Sequence, residues 1–140
     1  MSMLLGYPRR SRRTPSRRLK ALLGALAASQ VAYSQLPDRH RTRATQGIVG
    51  LFLAAATVEA AEARGARRGP ALVAGAGAIG FGTEVVGVAT GKPFGHYTYS
   101  AALGPRALGV SWAAAAAWAM MARPAWVTAG WITRRRAPRA

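Results

Sequence analysis

The sequence predicts an all-α protein, a polytopic membrane helical bundle of about four transmembrane helices. Three observations predict it. Alanine-rich apolar blocks recur along the 140 residues. Arginines gather at the block boundaries and are nearly absent inside them, which is how membrane segments are flanked. The third block is rich in glycine, which weakens a helix in water but lets helices approach closely in lipid.

The chain carries 20 Lys+Arg against 4 Asp+Glu, a formal charge of +16, with 51% hydrophobic residues. Charge of that size alone points to nucleic acid or an anionic surface. The hydrophobic content excludes disorder for most of the chain. The charge is also clustered: seven basic residues lie between Arg9 and Lys20, three between Arg39 and Arg43, and three between Arg64 and Arg68. Clusters alternating with apolar blocks set a membrane protein ahead of a soluble basic helical protein, with the bilayer and not nucleic acid as the expected partner. No cysteine is present, which excludes a disulfide framework and a Cys-ligated metal. His40 and His96 have no paired spacing with each other or with a carboxylate, so no metal site is expected. The glycines lack the strand–loop–helix setting of a nucleotide site, so no cofactor is expected either.

Residues 1–20 are rich in Pro, Ser and Arg and read as a disordered basic tail resting on anionic headgroups. Ala21–Leu36 is the first span. It is short against the roughly 20 residues a bilayer asks for, and Lys20 and Arg39 can snorkel to make up the length. Pro37-Asp38 closes it. A basic start before an apolar block resembles a signal peptide, but Ser34-Gln35-Leu36 is no clean small-residue cleavage site, so the segment reads as uncleaved.

Gln46–Ala63 is the second span. Glu59 and Glu62, three apart, share a face, and Arg64, Arg67 and Arg68 follow. The plain reading pairs the glutamates with arginines at headgroup depth. The functional reading takes Glu59 into the bundle interior, where a carboxylate is costly unless protonated or paired.

Pro70 opens the third span at a favoured first helical position. Ala71–Ala89 then holds one ionisable residue, Glu84, among glycines at 75, 77, 80, 82 and 87, and Gly91-Lys92-Pro93 ends it. Phe94–Arg106 is polar-aromatic and too punctuated by Gly and Pro to span. It reads as an interfacial loop or a re-entrant segment over the bundle mouth.

Ala107–Trp131 is the fourth span, marked by Trp112, Trp118, Trp126 and Trp131. At Arg123-Pro124 it either kinks or ends near Met121. The transmembrane domain is thus expected over residues 21–133, and residues 134–140 form a second basic tail. Four spans put both ends on one side, with most of the basic residues, and the charge bias makes that side the cytoplasm of a multi-pass cell-membrane protein.

Glu84 is the residue singled out for chemistry. A carboxyl group in apolar surroundings favours its neutral form and can serve as a general acid. The structural alternative pairs Glu84 with Arg106, Arg123 or a backbone group. His96 can donate or accept a proton near neutral pH, while the tyrosines also suit an interface belt.

The runs TEVVGVATGKPFGHYTYSAALGPRALGV and WAMMARPAW resemble the carotenoid biosynthesis membrane proteins, a family that includes carotenoid 1,2-hydratase and bisanhydrobacterioruberin hydratase. The resemblance covers about 50 residues, from Gly80 to roughly Ala129, and rests on fixed polar, glycine and proline positions. It implies addition of water across the terminal double bond of an acyclic carotenoid, lycopene-like or of the C50 class. In that reading Glu84 is the acid, while His96, Tyr97 and Tyr99 position water or return a proton. Phe94, Arg106, Trp112 and Trp118 line the substrate. Members of the family look about twice as long, with seven or eight spans. This chain resembles their N-terminal half, and a homo-oligomer or a separate C-terminal half is the expected complement. The rival function is a non-catalytic membrane partner, or a remnant, of a carotenoid enzyme.

Overall fold

A computed structural model describes residues 14–93 and 95–136, without the side chains of 134–136. Four helices account for most of it: α1 (Arg17–Tyr33), α2 (Asp38–Arg64), α3 (Arg68–Thr90) and α4 (Trp112–Arg136). The all-α class holds. The only strands among the described residues are two-residue strands, β1 (Arg106–Ala107) and β2 (Val110–Ser111).

Each helix starts where a local signal allows it. Ser16 caps α1 by accepting the Leu19 amide at 3.1 Å, so the helix begins four residues before the expected first span. The tail expected over 1–20 is therefore helical from Arg17, and residues 1–13 lie outside the described residues. Pro37-Asp38 was expected to close the first helix. Instead α1 ends at Tyr33, and Asp38 opens α2 with a carboxylate in its first turn. The polar residues 38–45 thus extend α2 eight residues before the apolar pattern begins. Helix α3 starts at Arg68, so Pro70 sits third, still inside the first turn, where its missing amide costs nothing. It ends on Gly91, a left-handed cap with φ 70° whose amide reaches the Gly87 carbonyl at 2.8 Å. Helix α4 runs unbroken through Pro124. Of the two arrangements open to the fourth segment, the continuous one is found, shifted toward the C-terminus.

The four helices run antiparallel in sequence order. The Ser16 amide meets Glu62 Oε2 at 3.4 Å, and at the other end of the α1–α2 pair the Tyr33 and Thr45 hydroxyls meet at 3.1 Å. Helix α3 folds back on α2 with Gly69 against the Ala60 backbone. The core is built of small residues, Ala60, Val73 and Ala119, with Leu53 beside them. Leu19 and Leu26 of α1 are buried too, but on α3 and α4 several large apolar residues point outward; Ile79 is 75% exposed, and Leu72, Val86 and Trp126 are also exposed. Small residues at the contacts of α2, α3 and α4 with large ones outside is the reverse of a water-soluble core and the pattern expected of helices that pack in lipid. By length and apolarity α2 and α3 can cross a membrane; α1 and α4 do not reach the same standard.

Residues 91–111 join α3 to α4 across one end of the bundle. A single 3-10 turn (Ala101–Leu103) precedes the hairpin, in which Arg106 pairs with Ser111 and Ala107 with Val110. Leu108 and Gly109 form its two-residue tip, both at positive φ (50° and 80°), as such a tight hairpin requires. Val110 and Ser111 are fully buried, at 0% exposure. The Ser111 hydroxyl donates to the Leu103 carbonyl at 2.8 Å and accepts the Ala113 amide at 3.2 Å, so one side chain both ties down the loop and caps α4.

Candidate functional site

Glu84 lies six residues before the end of α3, about 9 Å along the helix. Its neighbours on that face are Gly77, Gly80 and Gly87, at the spacing that stacks residues on one side of a helix. Each of these glycines accommodates a specific partner. The Trp118 indole occupies the place where a Gly80 side chain would begin. A Cβ on Gly87 would lie 2.7 Å from the Tyr97 hydroxyl oxygen, and one on Gly77 would lie 3.1 Å from Ala119 Cβ. By contrast, a Cβ on Gly75 or Gly82 would meet nothing within 4 Å. The glycine face thus lets α4 and the loop close onto Glu84.

Three donors converge on this carboxyl group. The Tyr97 and Tyr99 hydroxyls both donate to Oε2, each at 2.6 Å. Trp118 Nε1 donates to Oε1 at 3.0 Å. The two phenol rings meet edge to face, with centroids 5.8 Å apart. Glu84 therefore pairs with none of the partners considered from sequence: not Arg106, not Arg123, and not a backbone group. Both phenols hold their protons above the usual tyrosine range. For Tyr97 the main cause is the hydrogen bond to Glu84, with burial second. For Tyr99 burial comes first and the same hydrogen bond second. Each ring therefore stays a neutral donor. Together with Thr98, Ser100 and Leu103, these side chains line an open hollow of about 490 Å³ at the loop end of the bundle.

The other residues singled out from sequence lie apart from the carboxyl group. His96 is exposed; its imidazole rests on Gly91, where an added Cβ would be 2.9 Å from Cε1. Arg106 Nη1 donates to the Tyr99 carbonyl at 2.9 Å, which fixes the loop that carries both tyrosines. Trp112 Nε1 and Gln46 Nε2 crowd Gly104, each 2.8 Å from where its Cβ would be. Phe94 lies outside the described residues. Sequence reasoning passed over Ser111 and the selective use of Gly80 and Gly87. The 77–80–84–87 spacing was the available signal for the glycines. A serine directly before the fourth helix was the available signal for the cap.

Glu59 has a different fate. Arg123 grips it as a fork, Nε to Oε2 at 2.8 Å and Nη2 to Oε1 at 2.9 Å, joining α2 to α4. The Arg123 side chain is 10% exposed and that of Glu59 36%. Glu59, partly exposed, is thus paired by an arginine 64 residues away. Among the described residues, no three His, Asp or Glu side chains gather into a group able to hold a metal ion.

Comparison with known proteins adds one match. The sequence model of a family described as carotenoid biosynthesis protein matches residues 20–140, well beyond the 50-residue stretch that carried the resemblance. No curated protein and no solved structure matches the chain.

Proposed function

Because the chain belongs to the carotenoid biosynthesis protein family, we propose that it hydrates the terminal double bond of an acyclic carotenoid. The observation that carries this reading is the convergence of Tyr97, Tyr99 and Trp118 on the Glu84 carboxyl group within one hollow.

In the proposed reaction Trp118 Nε1 lets go of Oε1, that oxygen takes up a proton, and the carboxyl group so formed gives the proton to the less substituted carbon of the terminal alkene. The other carbon becomes a tertiary cation. Water forms a bond to that carbon, the resulting oxonium loses a proton, and the carboxylate regains one, so the net change is addition of one water. Tyr97 and Tyr99 remain neutral donors and hold the Glu84 side chain in one orientation. The π faces of these rings and of the Trp118 indole stabilise the cation. Arg106 acts at one remove by fixing the loop through the Tyr99 carbonyl, and His96 serves water at the rim. The membrane topology belongs to the same proposal: α1 and α4 join α2 and α3 as spans, with the basic ends of the chain on the cytoplasmic side.

A second reading also has a specific observation behind it. Every Glu84 carboxyl oxygen already has a protein donor, so the cluster can serve as a clasp between α3, the loop and α4, in a protein that supports another enzyme without chemistry of its own. Expression in a host that accumulates lycopene separates the two. The hydratase reading expects a pigment heavier by one water that disappears in Glu84→Gln. Unchanged pigment, with the protein verified in the membrane, would refute hydration by this chain.

A further inference from the structure

Hydration has a second reactant, and the polar side chains that line the Glu84 hollow differ in how they can treat it. Tyr97 and Tyr99 each spend their single hydroxyl proton on Glu84. Trp118 Nε1 donates and cannot accept. Two aliphatic hydroxyls remain in the lining, those of Thr98 and Ser100. Thr98 is exposed, and among the described residues no protein group bonds its hydroxyl. Ser100 Oγ accepts the Ala102 amide at 3.2 Å, which leaves it a second lone pair and its proton. His96 is absent from the lining.

A tertiary cation formed beside Glu84 has two fates. It returns a proton to the carboxylate, which undoes the reaction, or water captures it. Capture needs a water molecule held with a lone pair toward the cation and its protons toward acceptors. A hydroxyl that can both accept and donate suits that task, and Thr98 carries one with no competing partner. We propose that Thr98, with Ser100 beside it, holds the attacking water and so decides between hydration and reversal; this inference rests on the hydratase reading. The water oxygen bonds to the tertiary carbon while the water donates to Thr98 Oγ1. As the C–O bond forms, one O–H bond of the water breaks and its proton passes to Thr98 Oγ1. The Thr98 hydroxyl gives its own proton to solvent in the open hollow.

The test uses membranes holding the full chain and lycopene, transferred to D2O buffer. Mass spectrometry counts the hydrated product and the deuterium in the recovered lycopene. Reversal marks the recovered alkene, because Glu84 donates a deuteron and the cation then gives up either isotope. Thr98→Val keeps the shape of the side chain and removes the hydroxyl; that hydroxyl has no protein partner, so the variant does not threaten the fold. The ratio of deuterium uptake to hydration should rise about 10-fold in Thr98→Val, the factor one hydrogen bond supplies. Thr98→Ser should restore the original ratio. Unchanged hydration in Thr98→Val would overturn the proposal. An equal fall in hydration and deuterium uptake would also overturn it, since the substitution would then act on Glu84 and not on water. Deuterium uptake without hydration in the unsubstituted chain would leave the acid role of Glu84 standing and refute capture by Thr98. Neither uptake nor hydration in that chain would refute the hydratase reading, and this inference would fall with it.

Discussion

Replacing Gly80 with alanine should damage the Glu84 cluster without touching any of its polar atoms. A Cβ at this position enters the space of the Trp118 indole and would lie 2.6 Å from Cδ1, closer than real contacts allow. The indole has to move, and its Nε1, now 3.0 Å from Glu84, moves with it. Overpacking of this kind costs about 1–3 kcal/mol, and the lost hydrogen bond adds about 1 kcal/mol. Alanine's better helix propensity returns up to about 1 kcal/mol. The net expectation is a loss of about 1–3 kcal/mol. Gly82→Ala makes the same chemical change two residues away, where nothing lies within 4 Å, so it should be neutral or stabilising. Subtracting one variant from the other cancels propensity and leaves the collision, about 2–4 kcal/mol. Unfolding in mixed micelles with rising dodecyl sulfate, followed by circular dichroism, measures the difference. Two variants within about 0.5 kcal/mol of each other would refute the close approach of α3 and α4 at Gly80.

Other perturbations probe the remaining contacts. Arg123→Ala removes the two-bond grip on Glu59 and should cost about 1–2 kcal/mol, less than breaking a fully buried pair because Glu59 keeps partial exposure; replacing both with apolar residues should recover most of the loss, and a double-mutant cycle in the same unfolding assay reads the coupling. Ser111→Ala removes the cap of α4 and the tie to the Leu103 carbonyl, and should lower stability by about 1–2 kcal/mol in that assay. Tyr97 and Tyr99 ionise above the ordinary value of about 10, so the stability they lend is complete below that pH and is lost as pH rises through their folded values. Tyrosinate absorbance should therefore show a late-ionising fraction that vanishes in Tyr97→Phe/Tyr99→Phe, and superposable curves would contradict the network.

The sequence revealed the apolar interiors of α2 and α3 and the stop at Gly91, because hydropathy, glycine and proline are local signals. It misplaced the start of α2 because the polar turn after Asp38 has no apolar face to show. Glu84, Tyr97, Tyr99 and Trp118 were all singled out, and the structure brings these four together. What sequence could not supply was which groups meet. The Tyr97 and Tyr99 hydroxyls share a single carboxyl oxygen because the loop folds back over the end of α3, and the grip of Arg123 on Glu59 spans 64 residues. His96 and Trp112 were placed with the cluster on chemical type, yet their positions follow from the packing of Gly91 and Gly104. Chemical type marks candidates, while backbone geometry decides which of them share a site.

Glu59 and Glu84 are both held by side chains of one helix, α4: Glu59 by Arg123, and Glu84 by Trp118. The two residues lie five apart on α4, so one helix presents a partner to α2 and another to α3 about 7.5 Å apart along its axis. Helix α4 is thus the common part of two contacts, and a change that slides it along its axis loosens both at once.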